Sequence, residues 1–255
     1  MCLISFAVNV HPEYPLVLLA NRDEFHDRPT LPSQWWRSPN NTDVLSGRDL
    51  QSGGTWMGIT AGGRLAALTN IRKPTGQPGE KSRGLLVLEA LEAKRPAGLA
   101  LNDYKLFNLL IAQATPEGEW SVMYQNEYSR PQDLKNGVHT LSNDSLNSPW
   151  PKALRLKADL THLLTQASEH WEILAFSALG NTEIHPDEVL PTTGVPLEWE
   201  RMLSAAKIVS PAYGTRASTL LFVNQNGEVT WQERSLNADG VETLRSIEKF
   251  QLQWH

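Results

Sequence analysis

The order of predicted elements limits the fold of this 255-residue chain more than any other feature: strands at both ends enclose a helical block, with no β-α-β rhythm. Residues 2–9 and 16–20 are apolar, β-branched or aromatic runs separated by His-Pro-Glu-Tyr-Pro, which predicts a hairpin of buried strands. A polar, proline-rich stretch over 21–41 reads as a long loop, and it carries Trp35 and Trp36. Strands are predicted at 55–60 and 64–70, joined through Ala61-Gly62-Gly63, and again at 106–113 and 119–124 around a Thr-Pro-Glu-Gly turn. Leucine and alanine spacing predicts helices at 84–93, 150–166, 171–179 and 197–206. The chain then returns to strands at 218–223 and 228–233, with a terminal strand over 241–254. This order predicts an α+β fold built from antiparallel sheets, in one domain spanning 1–255.

Charge and hydropathy remove several function classes. With 23 Lys+Arg against 28 Asp+Glu, the chain has a net charge of −5 and no basic footprint for a phosphate backbone, so nucleic acid is not an expected partner. Asn9, His11 and Glu13 interrupt the best apolar window well before the roughly 18 residues a membrane span requires. The first residues lack a basic n-region and a small-residue cleavage site, so the expected location is cytoplasmic. The seven histidines are scattered without metal-ligand spacing, and dinucleotide, P-loop, GxSxG and HExxH signatures are missing, so no metal or cofactor is expected.

The single cysteine excludes an intramolecular disulfide and cysteine-rich zinc sites. Its position is more informative. Cys2 follows Met1 directly, and a side chain this small is compatible with removal of the methionine. An N-terminal cysteine carries a nucleophile and, in an α-amino group with a pKa of about 8, its own general base. The alternative is a small buried hydrophobe at the start of a strand.

Further motifs bear on this choice. Asn21-Arg22-Asp23-Glu24 closes the second predicted strand, followed by Gly53-Gly54-Thr55-Trp56, Leu68-Thr69-Asn70, Leu141-Ser142-Asn143 and Gly214-Thr215-Arg216. Together with the Met-Cys start, these resemble the NRDE family of transport and Golgi organization 2 proteins. The likeness is sharpest over about the first 90 residues. It implies an N-terminal nucleophile hydrolase-like fold, a four-layer αββα sandwich of antiparallel sheets.

Within that fold, the chain is similar to the choloylglycine hydrolase branch of bile salt hydrolases and penicillin V acylases, which also start Met-Cys. The resemblance implies that Asp23 grips the α-amino group, that Asn70 and Asn143 stabilise a tetrahedral intermediate, and that Arg216 favours the thiolate or anchors substrate. Arg22 departs from the pattern, because it immediately precedes Asp23. Alternation on a strand lets Asn21 and Asp23 share a face that excludes Arg22, and only a bulge or the start of the loop would bring Arg22 to the thiol. Taken alone, Asn-Arg-Asp-Glu reads as a charged strand end capped by its own salt bridges, and Asn70 and Asn143 read as turn residues after strands. Trp35, Trp36 and Trp56 are candidate walls for an apolar acyl group or ring.

Two functions follow as expectations. One is cysteine amidohydrolase activity on a linear C–N amide bond through a Cys2 thioester. The other is non-catalytic binding or trafficking of haem or lipid on the same fold, the one setting in which haem enters. Either way the expected partner is a small amide, acyl or haem-like ligand.

Overall fold

Strands β1 (Cys2–Val8) and β2 (Leu16–Phe25) form the first hairpin of the computed structural model, which describes residues 2–74, 79–93, 99 and 101–253. Ile4, Phe6 and Val8 share a face with Leu16, Leu18 and Ala20, and this face enters the core between two sheets. Leu3, Ala7, Val17 and Leu19 point the other way, into a second core beneath helices. Both faces are buried, which is why the hairpin reads as continuous apolar runs.

The chain continues through β3 (Thr30–Arg37), β4 (Asp43–Asp49), β5 (Met57–Thr60), β6 (Arg64–Asn70) and helix α1 (Arg83–Glu92). Next come β7 (Phe107–Ala114), β8 (Trp120–Asn126), the short β9 (Gln132–Asp133) and β10 (Gly137–Leu141). Helices α2 (Pro151–Leu163), α3 (Trp171–Leu179) and α4 (Leu197–Met202) precede β11 (Tyr213–Val223), β12 (Glu228–Leu236) and β13 (Glu242–Gln251). The first sheet has the order β10-β1-β2-β11-β12-β13 and the second β3-β4-β5-β6-β7-β8-β9, with antiparallel pairing throughout. Helices α2 and α3 pack on the outer face of the first sheet through Leu156, Leu160, Trp171 and Leu179. Helix α1 packs on the outer face of the second through Leu86, Val87 and Ala90. The layers therefore run helix, sheet, sheet, helix. Among the described residues, no helix is long and apolar enough to cross a membrane.

The expected loop over 21–41 is instead the end of β2 and all of β3. Asn21, Arg22 and Asp23 are buried polar residues within a strand, and polarity hid the pairing. Pro32 lies in β3, which a sheet edge tolerates, and the register shifts between Leu31 and Gln34. Strands β4 and β10 were not expected. The predicted helix over 197–206 stops at Met202; the Leu203 and Ala206 carbonyls turn instead to Lys152 and Asn21. Met1 and position 254 of the predicted terminal strand lie outside the described residues.

Candidate active site

At the end of the intersheet core where β1 starts and β2 and β6 finish, the apolar filling gives way to a cavity of about 590 Å³. Cys2, Arg22, Asp23, Asn70, Trp56 and Arg216 all line it. The described wall carries seven basic side chains, Arg22, Arg28, Arg48, Lys81, Arg83, Lys105 and Arg216. Against them stand five acidic ones, Asp23, Glu24, Asp49, Glu80 and Glu233.

The β1–β2 register places Cys2 directly opposite Arg22. Residues paired this way project to the same side of a sheet, so Arg22 reaches the thiol side without a bulge or loop. This corrects the expectation that alternation would exclude it: faces are set by the cross-strand register, and Cys2 shares its face with even-numbered β2 residues. Asn21 and Asp23 do share the opposite face, turned toward the helices. Asn21 donates to the Leu179 and Ala206 carbonyls and accepts from Ser218, while Asp23 accepts from the Thr215 hydroxyl at 2.7 Å.

Burial pushes the Cys2 thiol above its ordinary pKa, and the Asp23 charge adds to that. Arg22 and a hydrogen bond from the Asp23 backbone N–H pull it down. Burial also raises the Asp23 carboxyl, with Lys152 acting against it. Lys152 reaches in from α2, is 3% exposed and donates from Nζ to the Leu203 carbonyl at 2.8 Å; burial pushes its pKa down to about 8. Behind it, Arg72 and Glu200 form a buried ion pair, with the Arg72 guanidinium 4.7 Å from the Trp150 ring centre.

The remaining predicted residues are placed differently from one another. Asn70 ends β6 on the cavity wall. Asn143 is buried beside it but is not on the described wall, and its Nδ2 donates to the Asn70 carbonyl at 2.9 Å, tying the end of β10 to the end of β6. Arg216 sits in a register shift between Thr215 and Ala217. Its guanidinium donates to the Phe25, His26 and Arg28 carbonyls, so it clamps the β2–β3 turn at the cavity edge. Trp35 and Trp36 do not line the cavity: Trp35 packs edge-on against Phe250, and Trp36 donates from Nε1 to Ser46. Gly53 has φ +74°, a turn conformation; a Cβ on Gly54 would lie 2.3 Å from the Gly84 backbone, so this loop can press against the start of α1.

Sequence reading missed Glu233 and Lys152. Glu233 continues the core-facing register of Val229 and Trp231, is 2% exposed, and accepts hydrogen bonds from the Ser33 N–H and Thr219 hydroxyl; burial raises its pKa. Its signal was a carboxylate in an apolar register. For Lys152 the signal was a lysine four residues before Leu156 on the buried face of α2.

The helix-sheet-sheet-helix layering of two antiparallel sheets is an N-terminal nucleophile hydrolase-like fold. Conjugated bile acid hydrolase from Clostridium perfringens, solved as its C2A mutant, superposes with a TM-score of 0.50 at 9% identity, covering 99% of this chain and 92% of that one, a likeness of fold. The family model for Transport and Golgi organisation 2 matches residues 1–238. The Bos taurus Transport and Golgi organization protein 2 homolog is 34% identical over 283 residues, covering 99% of this chain and 100% of the relative. The Drosophila melanogaster Transport and Golgi organization protein 2 is 26% identical over 269 residues, 92% of each chain. This chain belongs to the Transport and Golgi organisation 2 family.

Proposed function

We propose that the protein is a cysteine amidohydrolase that cleaves a linear C–N amide bond through a thioester on Cys2. One observation carries this reading: Cys2 opens onto a large polar cavity with Arg22 directly across from it and the Asp23 N–H on its sulfur.

Removal of Met1 frees the Cys2 α-amino group, and this amine takes the thiol proton. The Asp23 carboxylate, one strand away, holds the resulting ammonium, and Arg22 supports the thiolate. Attack on the amide carbon forms the C–S bond and moves the carbonyl electron pair onto oxygen, where the Asn70 amide donates a hydrogen bond. Such a donor is worth about 3 kcal/mol in the transition state. As the oxyanion collapses, the C–N bond breaks and the ammonium proton leaves with the amine. Water, deprotonated by the same α-amino group, then attacks the thioester, releasing the carboxylic acid and restoring the thiol.

Intact mass before and after treatment with p-nitrophenyl acetate tests the reading. The wild-type chain is expected to lack Met1 and to gain one acetyl group that is later lost, while Cys2→Ser and Cys2→Ala gain none. Retained Met1, or equal acetylation of Cys2→Ala, overturns it. In the alternative, a haem or acyl-chain carrier, the described wall offers the Cys2 sulfur as a soft ligand; tight haem binding by a wild-type protein that never acylates is its signature.

A further inference from the structure

Most cations on the cavity wall are committed. Arg28 is paired with Asp49, Lys81 with Asp103 at 3.0 Å, and Arg216 with three backbone carbonyls. Arg48 lies with its guanidinium 4.6 Å from the centre of the Trp36 ring. Arg22 differs from all of these. It is 9% exposed and lines the cavity, and its guanidinium has neither a hydrogen bond nor an ion pair among the described residues. The carboxylates nearest in chemistry to a partner are used elsewhere, Glu233 by Ser33 and Thr219, and Asp49 by Arg28.

A second, independent feature meets the same cavity. Ser82, the N-cap of the ten-residue helix α1, and Arg83 and Gly84, its first two residues, are on its wall. Ser82 is the N-cap, yet its hydroxyl makes no capping hydrogen bond, and the first turn holds no acidic residue. It holds Arg83, a cation at the positive end of the helix dipole, where an anion is the stabilising choice. The Arg83 guanidinium makes one long hydrogen bond, to the Leu106 carbonyl at 3.4 Å, and no ion pair among the described residues. The helix start is held there by the Thr55 N–H donating to the Gly84 carbonyl at 3.1 Å.

We infer that the open N-terminus of α1, with the Arg83 and Arg22 guanidiniums, forms an oxyanion site for a carboxylate or phosphate borne by the ligand of the Cys2 cavity. The inference deepens the amidohydrolase reading, on which it rests for the ligand being a substrate, by assigning that substrate a negative charge. Guanidinium forks and free helix N–H groups match both oxyanions. The charge also explains the helix start: a bound anion supplies the partner that Ser82 and the first turn do not.

The single thiol makes the test direct. Rates of Cys2 alkylation by anionic iodoacetate and neutral iodoacetamide are measured by intact mass. Arg83→Gln is expected to lower the iodoacetate-to-iodoacetamide ratio about tenfold, the scale of a lost hydrogen bond to a charged group, the ratio cancelling any change in thiol ionisation common to both reagents. In parallel, thermal shifts are recorded with hexanoate, hexyl phosphate and hexanol at matched ionic strength. A shift with hexanoate or hexyl phosphate that exceeds the hexanol shift supports the site and shows which oxyanion it takes. Ser82→Asp provides a second variant: a carboxylate at the N-cap is expected to raise the melting temperature without ligand and abolish the anion-specific shift. An unchanged alkylation ratio in Arg83→Gln together with equal shifts for hexanoate, hexyl phosphate and hexanol overturns the inference. A thiol silent toward both reagents overturns the amidohydrolase reading instead, and the thermal shifts then decide the oxyanion site alone.

Discussion

The two ends of the layer between the sheets are made from the same strands in continuous register, yet one end is a dry core and the other a charged cavity. Along β1 the core-facing series runs Val8, Phe6, Ile4 and then Cys2; along β2 it runs Leu16, Leu18, Ala20 and then Arg22. On β12, Val229 and Trp231 give way to Glu233. The backbone does not change its plan where the chemistry changes. A site of this kind is produced by extending a sandwich core by one residue per strand and filling the added positions with groups that require partners. One half of the layer therefore supplies stability, and the other gives up stability for reactivity.

The largest effect expected from that division is in the dry half. Trp231→Ala removes a fully buried ring and is expected to cost about 3–5 kcal/mol, toward the lower end because its indole N–H has no partner to lose among the described residues. Urea unfolding reads the loss, and native-state alkylation of Cys2 should be unchanged. A marked fall in alkylation would mean that the two halves are mechanically coupled. In the charged half the pattern reverses. Arg22→Met replaces a buried guanidinium that has no partner among the described residues with an apolar chain of similar reach, so stability is expected to hold or rise. Alkylation of Cys2 by neutral iodoacetamide at pH 7 should fall about tenfold, as the charge favouring the thiolate is lost. A variant that unfolds easily but alkylates normally would make Arg22 a structural residue and erase the contrast.

How far this division can be read from sequence depends on the same alternation. Residues 2–9 and 16–20 announce the dry half because burial on both faces leaves uninterrupted apolar runs. The charged half is written in motifs: Asn21-Arg22-Asp23-Glu24 and Leu68-Thr69-Asn70 point to residues that do meet at the cavity wall. What fails is the geometry between them. Alternation within β2 assigns Arg22 relative to Asp23 but says nothing of Cys2, since that relation lies in hydrogen bonding between β1 and β2. Asn143 shows the converse. Its motif brings it beside Asn70, but a single hydrogen bond from Nδ2 to the Asn70 carbonyl turns it into a tie between strands, and no local pattern encodes that bond. Trp35 and Trp36 follow the edge strand β3 away from the cavity, through a bulge at Pro32 that reads as loop.

The outer face of the first sheet carries a smaller version of the same contrast. On α2, Lys152, Leu156 and Leu160 stand at four-residue steps on one buried stripe, but Lys152 lies behind Asp23 where the leucines lie behind β1. Burial lowers its pKa to about 8, while an unfolded lysine titrates near 10.5. Between these values the unfolded chain binds more protons than the folded one, so the stability contributed by this group rises with pH; below about 8 both states are protonated and the slope vanishes. Urea unfolding of wild type and Lys152→Met at pH 7, 8, 9 and 10 isolates the effect, because every other titrating group is common to both. The wild-type stability relative to the variant is expected to be flat up to pH 8 and then to climb by about 1 kcal/mol per pH unit. A difference that instead falls as pH rises would mean that the charged amine stabilises the fold through Asp23 more than burial penalises it, placing the folded pKa above that of free lysine. The charge beneath Cys2 would then be a permanent ion pair, and the polar half of the molecule would contribute to stability as the dry half does.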